Sequence, residues 1–139
     1  MGSALGFPVS IKGILFVQDR VPLLLNERNE WELPGGRLEI QDETPENCVC
    51  RELKEELSCE ARVERLLDCW LYNVIPGRHV FIVTYLCTTQ QTLESLAMSN
   101  EHKQLGMFEV SRIPALNISA GYVRSIQLAW NYKMGSFPR

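Results

Sequence analysis

RELKEEL, residues Arg51–Leu57, comes shortly after Pro34-Gly35-Gly36 and carries three carboxylates at helical spacing. In a helix advancing about 100° per residue, Glu52, Glu55 and Glu56 fall within about a 100° sector. Val49, Leu53 and Leu57 form a separate apolar stripe at i, i+4, i+8, which faces a core. Like charges at i,i+3 and i,i+4 oppose the helix by about 0.2–0.5 kcal/mol per pair. They also sit toward the helix C-terminus, where the macrodipole disfavours anions. A divalent cation relieves both penalties, because hard oxygen ligands suit Mg²⁺. Glutamates at helical spacing ordinarily make no more than a solvated face. Here, however, Arg51 and Lys54 lie off the acidic arc, so i,i+4 pairing leaves the cluster unexplained. The glycine turn upstream lets backbone approach a ligand closely. The arrangement reads as a metal site.

Composition narrows the frame around it. A chain of 139 residues suits a single domain over 1–139, with 134–139 as a loose tail. Its 45% apolar and 22% charged residues are ordinary for a soluble globular protein. A formal charge of −3 and the lack of a basic stripe argue against a general nucleic-acid binder. No apolar run approaches the roughly 18 residues of a membrane span. Met1–Gly13 lacks the basic and apolar regions of a secretory signal, and Gly6 breaks the myristoylation pattern. Cys48, Cys50, Cys59, Cys69 and Cys87 are odd in number and form no C-x-x-C pair. They read as small core residues of a chain in a reducing cytoplasm. With only His79 and His102 present, a histidine-rich metal site is not expected.

The elements alternate. Val9–Val17 reads as a buried strand, Asp19-Arg20 as a turn and Val21–Asn26 as the hairpin partner. Trp31-Glu32-Leu33 is a short strand entering the Gly35-Gly36 loop. Thr44 as N-cap and Pro45 at the first helical position predict a helix over Pro45–Leu57. Val63–Ile75 and His79–Cys87 alternate as strands around a turn at Pro76-Gly77-Arg78, and Thr88–Ser99 is loop-like. Lys103–Val110 is a further strand, and Pro114 interrupts the segment after it. Tyr122, Ile126, Ala129 and Trp130 predict a terminal amphipathic helix over Ser119–Lys133. The fold class is α+β, a sandwich with a mixed sheet.

Gly36 to Cys59 resembles the Nudix box, Gly-x5-Glu-x7-Arg-Glu-U-x-Glu-Glu-x-Gly-U, with U an aliphatic residue. Glu43, seven residues, then Arg51-Glu52-Leu53-Lys54-Glu55-Glu56 match it in order and spacing, and Trp31–Gly36 is typical of the approach. Two departures stand out. Six residues separate Gly36 from Glu43, so Asp42 stands at the regular distance from the glycine and Glu43 at the regular distance from Arg51. Glu43 is the favoured box glutamate. Ser58 replaces the family's Gly, at a cost of about 1 kcal/mol if the helix ends there in a left-handed turn.

The resemblance implies a Nudix-type α/β/α sandwich and hydrolysis of a nucleoside diphosphate linked to another group, with Mg²⁺ or, in its place, Mn²⁺. Such chemistry needs charge neutralisation on phosphoryl oxygens and a water aligned for in-line attack. It implies Glu55 and Glu56 as metal ligands, Glu52 as ligand or general base, and the Gly35 carbonyl as a further ligand. Arg51 would orient Glu52 or Glu43. Glu101, in a loop before a strand, is the candidate carboxylate from outside the box and shares with Glu52 the candidacy for general base. His102 reads as a surface or hydrogen-bonding histidine.

For the substrate, Trp31, Trp70 and Tyr72 are candidates to stack on a base, and Arg28, Arg37 and Arg78 to grip a diphosphate. Pro76, seventeen residues beyond Cys59, stands within one residue of where ADP-ribose-cleaving members tend to carry a proline. The expected partner is a small nucleotide, ADP-ribose or a nucleoside diphosphate sugar first and a nucleoside triphosphate second. No nucleic acid or membrane is expected, and a homodimer stays open. A nucleotide-sensing module without turnover is the alternative, although such members usually lose box glutamates and this chain keeps them.

Overall fold

The computed structural model describes residues 2, 4 and 6–135, so most of the expected 134–139 tail lies outside the described residues. Among the described residues, seven strands and two α-helices come in the order β1 Val9–Ile14, β2 Arg20–Leu25, β3 Trp31–Glu32, β4 Gly35–Arg37, α1 Pro45–Leu57, β5 Ala61–Ile75, β6 Arg78–Thr89, β7 Gln104–Glu109 and α2 Ala120–Lys133. They form a mixed four-stranded sheet, β4-β1-β6-β5, and a three-stranded antiparallel sheet, β3-β2-β7. In the larger sheet only β1 and β6 run parallel.

That topology corrects the expected hairpin. Val17 and Arg20 do bracket a tight two-residue turn, with Gln18 and Asp19 both at positive φ. Beyond it the strands diverge into different sheets, because β1 is claimed by β4 and β6 and β2 by β3 and β7. Gly35-Gly36 is likewise not a loop but the start of β4, paired with Lys12 and Ile11.

The larger sheet lies between the helices. On one face Ile11 and Leu15 join Val49, Leu53 and Leu57 of α1, all essentially inaccessible to solvent. On the other, Ile14, Val80, Ile82 and Leu86 meet Tyr122, Ile126 and Ala129 of α2. Periodicity dictates both helices, and Gly13 lets α1 close down, since a Cβ there would sit 3.0 Å from Leu53 and Val49. Thr44 caps α1 by accepting from the Asn47 amide, and Pro45 occupies the first turn. Ser58 ends it at φ 53°, ψ 37°, the left-handed one of the endings the sequence left open, with its N–H bonded to the Lys54 carbonyl. The β5–β6 hairpin turns through Pro76-Gly77, with Gly77 at φ +82°. Asp68 locks α2 onto this hairpin by accepting from the Thr84 and Ser125 hydroxyls, the latter at 2.7 Å. Cys48, Cys59 and Cys87 are buried, but Cys69 is exposed, facing outward on β5 rather than packing in a core.

Candidate active site

β4 contributes almost no side chain, and the site is built on that bareness. Gly35 and Gly36 point to opposite faces of the strand. A Cβ on Gly36 would lie 2.4 Å from the Glu52 carboxyl carbon, so the carboxylate of α1 rests directly on the glycine. A Cβ on Gly35 would meet the Ile11 carbonyl at 2.0 Å and the Lys12 Cδ at 2.9 Å, and Gly35 stands at φ +146°. Only glycine fits both the backbone and the space there.

The Gly35 N–H donates to Glu56 Oε1 at 2.6 Å, which holds the buried Glu56 against the strand. Burial pushes the Glu56 carboxyl up to about 7, with Glu52 adding to the rise and Lys12, the Gly35 amide and His102 pulling the other way. Burial likewise raises Glu52, Glu55 adds to it, and Arg51 opposes it. Glu55 is largely exposed at the outer side of the arc.

Arg51 organises this face. Its NH1 donates to Glu52 Oε1 at 2.9 Å and reaches Glu55 at 3.4 Å. The arginine therefore is not remote from the acidic arc, as its helical position suggests, but folds back across it. Its Nε and NH2 donate to the two oxygens of Asp42 at 2.7 and 2.8 Å. Asp42, not the favoured Glu43, is thus the acid that binds Arg51. The extra residue is absorbed by a 3₁₀ turn over Ile40–Asp42 that ends with Glu43 at φ 63°, which buries Asp42 and leaves Glu43 exposed. Asp42 Oδ2 also accepts from the Glu39 amide. The Arg51 guanidinium holds the Asp42 carboxyl well below the usual carboxylate range.

The loop before β7 is tied to the end of α1 by the Ala97 N–H to the Leu57 carbonyl and the Ser99 N–H to the Glu56 carbonyl. Glu101 on this loop is exposed. His102, beside it, turns inward instead: Nε2 lies 3.0 Å from Glu32 Oε1 and Nδ1 3.4 Å from Glu56 Oε2. The Glu32 bond raises the imidazole, and that bond, with Lys12 and Asn26, overrides burial to bring Glu32 down to about 2.

On the opposite face of β4 opens a cleft of about 240 Å³, lined by Ser10, Lys12, Arg28, Glu32, Arg37, Tyr72 and Tyr122 among others. It shares Arg28, Arg37, Val74 and Val80 with an adjoining cavity of about 450 Å³ that Arg78 and His79 also line. Arg28, Arg37 and Tyr72, proposed from sequence, therefore share one cleft, and Arg78 lines the adjoining one. Trp31 does not: its ring packs edge-on against Phe108 at 4.8 Å and over Gly106. Trp70 packs edge-on against Tyr122 at 4.9 Å. Sequence reasoning missed Lys12, Glu32 and Tyr122. The one available signal was a lysine inside the buried strand VSIKGI, where a charge is out of place.

Glu52, Glu55 and Glu56 share the α1 face beside Gly35, and hard oxygens of this kind fit a divalent cation whose charge relieves their burial and mutual repulsion. Among the described residues no three acidic, histidine or cysteine side chains are already closed into a cage.

A family model for the NUDIX domain matches residues 6–128. An 8-oxo-dGTP diphosphatase from Proteus vulgaris is 38% identical over 74 residues, 53% of this chain and 63% of the relative. The chain thus spans less than two thirds of that curated protein. Among solved structures, an ADP-ribose pyrophosphatase from Streptococcus suis superposes with TM-score 0.70 at 19% identity, covering 91% of each chain. The NUDIX domain of Shewanella oneidensis NrtR, complexed with ADP ribose, gives TM-score 0.77 at 16% identity, covering 94% of this chain and 90% of that one. Both share the mixed sheet between helices.

Proposed function

Because this chain belongs to the Nudix domain family, we propose that it is a metal-dependent hydrolase that cleaves a nucleoside diphosphate linked to another group, with ADP-ribose or a nucleoside diphosphate sugar as its substrate. The observation that carries this reading is the pairing of Glu52 on Gly36 and Glu56 on Gly35 with an arginine-lined cleft on the far face of the same strand. Glu52, Glu55 and Glu56 would hold Mg²⁺ or Mn²⁺, with the Gly35 carbonyl as a further oxygen. The ion would neutralise charge on the phosphoryl oxygens and lower the pKa of an attacking water.

The chain's own residues do the positioning. Arg51, gripped by Asp42, fixes the Glu52 carboxylate, which serves as ligand or general base. Glu101, on the loop tied to the end of α1, is the other candidate base. Arg28 and Arg37, which line the cleft, would grip the diphosphate, with Tyr72 offering a ring to the base. A second reading, a nucleoside triphosphate as substrate, is favoured by the Proteus vulgaris relative, which is named for 8-oxo-dGTP.

A hydrolysis screen over ADP-ribose, nucleoside diphosphate sugars, dinucleoside polyphosphates and triphosphates, with and without Mg²⁺, tests this. Turnover of the diphosphate-linked compounds that stops in EDTA is expected. Tight binding of one compound with no turnover would instead identify a nucleotide-sensing module.

A further inference from the structure

We propose that Lys12 is a direct ligand of the substrate, its ammonium seating a phosphoryl oxygen of the diphosphate at the floor of the cleft. The inference rests on the diphosphate reading of that cleft and adds a residue to it. Lys12 is only 7% exposed, yet it lines the cleft beside Arg28 and Arg37. Its stem crosses Gly35, its partner in the β1–β4 ladder, where any side chain would block it. Among the described residues its ammonium makes no hydrogen bond and no ion pair within 4.0 Å.

A buried, unpaired ammonium ordinarily loses its proton or finds a partner. Glu32, Glu52 and Glu56 are its carboxylate neighbours, and none of them pairs with it. Each has contacts of its own: Glu52 with Arg51, Glu56 with the Gly35 amide, Glu32 with His102 and Asn26. The three donors of the ammonium are left for a ligand in the cleft. A compact point charge next to the Glu52 face suits one anionic oxygen, whereas Arg28 and Arg37 suit forked contacts further out.

The test is calorimetric binding of inorganic pyrophosphate in EDTA to the wild type, Lys12→Met and Lys12→Gln, with Lys54→Met as an exposed control. The Met and Gln variants are expected to melt within a few degrees of the wild type and to bind pyrophosphate about tenfold or more weakly, as loss of one charge-assisted contact implies. The Lys54 variant should bind as the wild type does. Unchanged affinity in both Lys12 variants overturns the proposal, as does absence of pyrophosphate binding by the wild type. Collapse of both variants on heating also overturns it, since Lys12 would then be a structural counter-ion. Lys12-dependent binding in a protein that hydrolyses nothing would leave this inference standing and remove the hydrolase reading.

Discussion

Replacing Gly36 by alanine should cripple turnover while leaving the fold almost untouched. The new Cβ would lie 2.4 Å from the Glu52 carboxyl carbon and 2.5 and 2.6 Å from its oxygens. Ordinary carbon contacts are about 3.5–4.0 Å, so the carboxylate must retreat by about 1 Å. The 2.9 Å bond from Arg51 NH1 to Glu52 Oε1 does not survive such a shift. Misplacement of a reacting group by about 1 Å costs on the order of 100-fold in rate, equivalent to about 2.7 kcal/mol. Stability should hardly change. Gly36 is not at positive φ, the obstructing atoms end a side chain, and alanine is favoured over glycine in a strand by about 0.5–1 kcal/mol. Gly35→Ala is the opposite case, because its Cβ meets the Ile11 carbonyl of the backbone at 2.0 Å and its φ is +146°. Strain of about 1–3 kcal/mol and a broken ladder bond of about 1–3 kcal/mol should lower its melting temperature by about 10 °C or more. Steady-state hydrolysis and thermal unfolding of the two variants together check the argument. Wild-type turnover in Gly36→Ala, or a melting temperature as low as that of Gly35→Ala, refutes it.

The same geometry sets three further expectations. Ser58→Gly should stabilise the protein by about 1 kcal/mol in urea unfolding, because Ser58 sits at φ 53° with no side-chain reason to prefer serine there. Asp42→Asn should lower kcat with little change in KM, while Glu43→Gln leaves both near wild type, since Asp42 holds Arg51 and Glu43 is exposed. Glu32 has a folded pKa of about 2, below its unfolded value near 4.5, so its contribution is fully present above about pH 5 and is lost as pH falls toward 2. A shift of that size is worth about 3 kcal/mol. The wild type should therefore lose more stability than Glu32→Gln between pH 5 and pH 3 in urea unfolding, and parallel curves would sink that assignment.

What the sequence reveals here is what depends on neighbours along the chain. The bounds of α1, its Thr44 cap and the buried stripe of Val49, Leu53 and Leu57 all derive from local periodicity and capping chemistry, and they stand as read. The left-handed end at Ser58 was left open, because serine in place of glycine does not by itself fix the backbone. The division of strands between two sheets was not local, because alternation tells which face of β1 and β2 is buried but not which strand each will pair with. The choice between Asp42 and Glu43 was undecidable from spacing, since each keeps one of two distances. The 3₁₀ turn that settles it is fixed by the Asp42–Arg51 bond it makes possible. Trp31 moved for a similar reason, and His102 took the hydrogen-bonding one of its two expected roles. An inward histidine needs Glu32 from another strand, and a tryptophan on a short strand is captured by whichever aromatic, here Phe108, lies across the second sheet.

The net charge of −3 gives a poor picture of how this molecule meets an anion. Charge is unevenly divided around β4: Glu52, Glu55 and Glu56 on the α1 side with Arg51 across them, and Lys12, Arg28 and Arg37 on the other with Glu32 among them. Between them stands a strand whose two glycines add nothing to its thickness, so both fields reach its edge almost unscreened. A diphosphate entering alone is attracted by one face and repelled by the other, and a divalent cation meets the reverse. Together the two satisfy both faces, so each lowers the penalty the other meets, and the coupling is reciprocal by linkage. Side chains on Gly35 and Gly36 would push those faces apart. If the proposed function holds, the glycine pair would be what turns an acidic helix and a basic cleft, each ordinary by itself, into a single site for a metal–diphosphate pair.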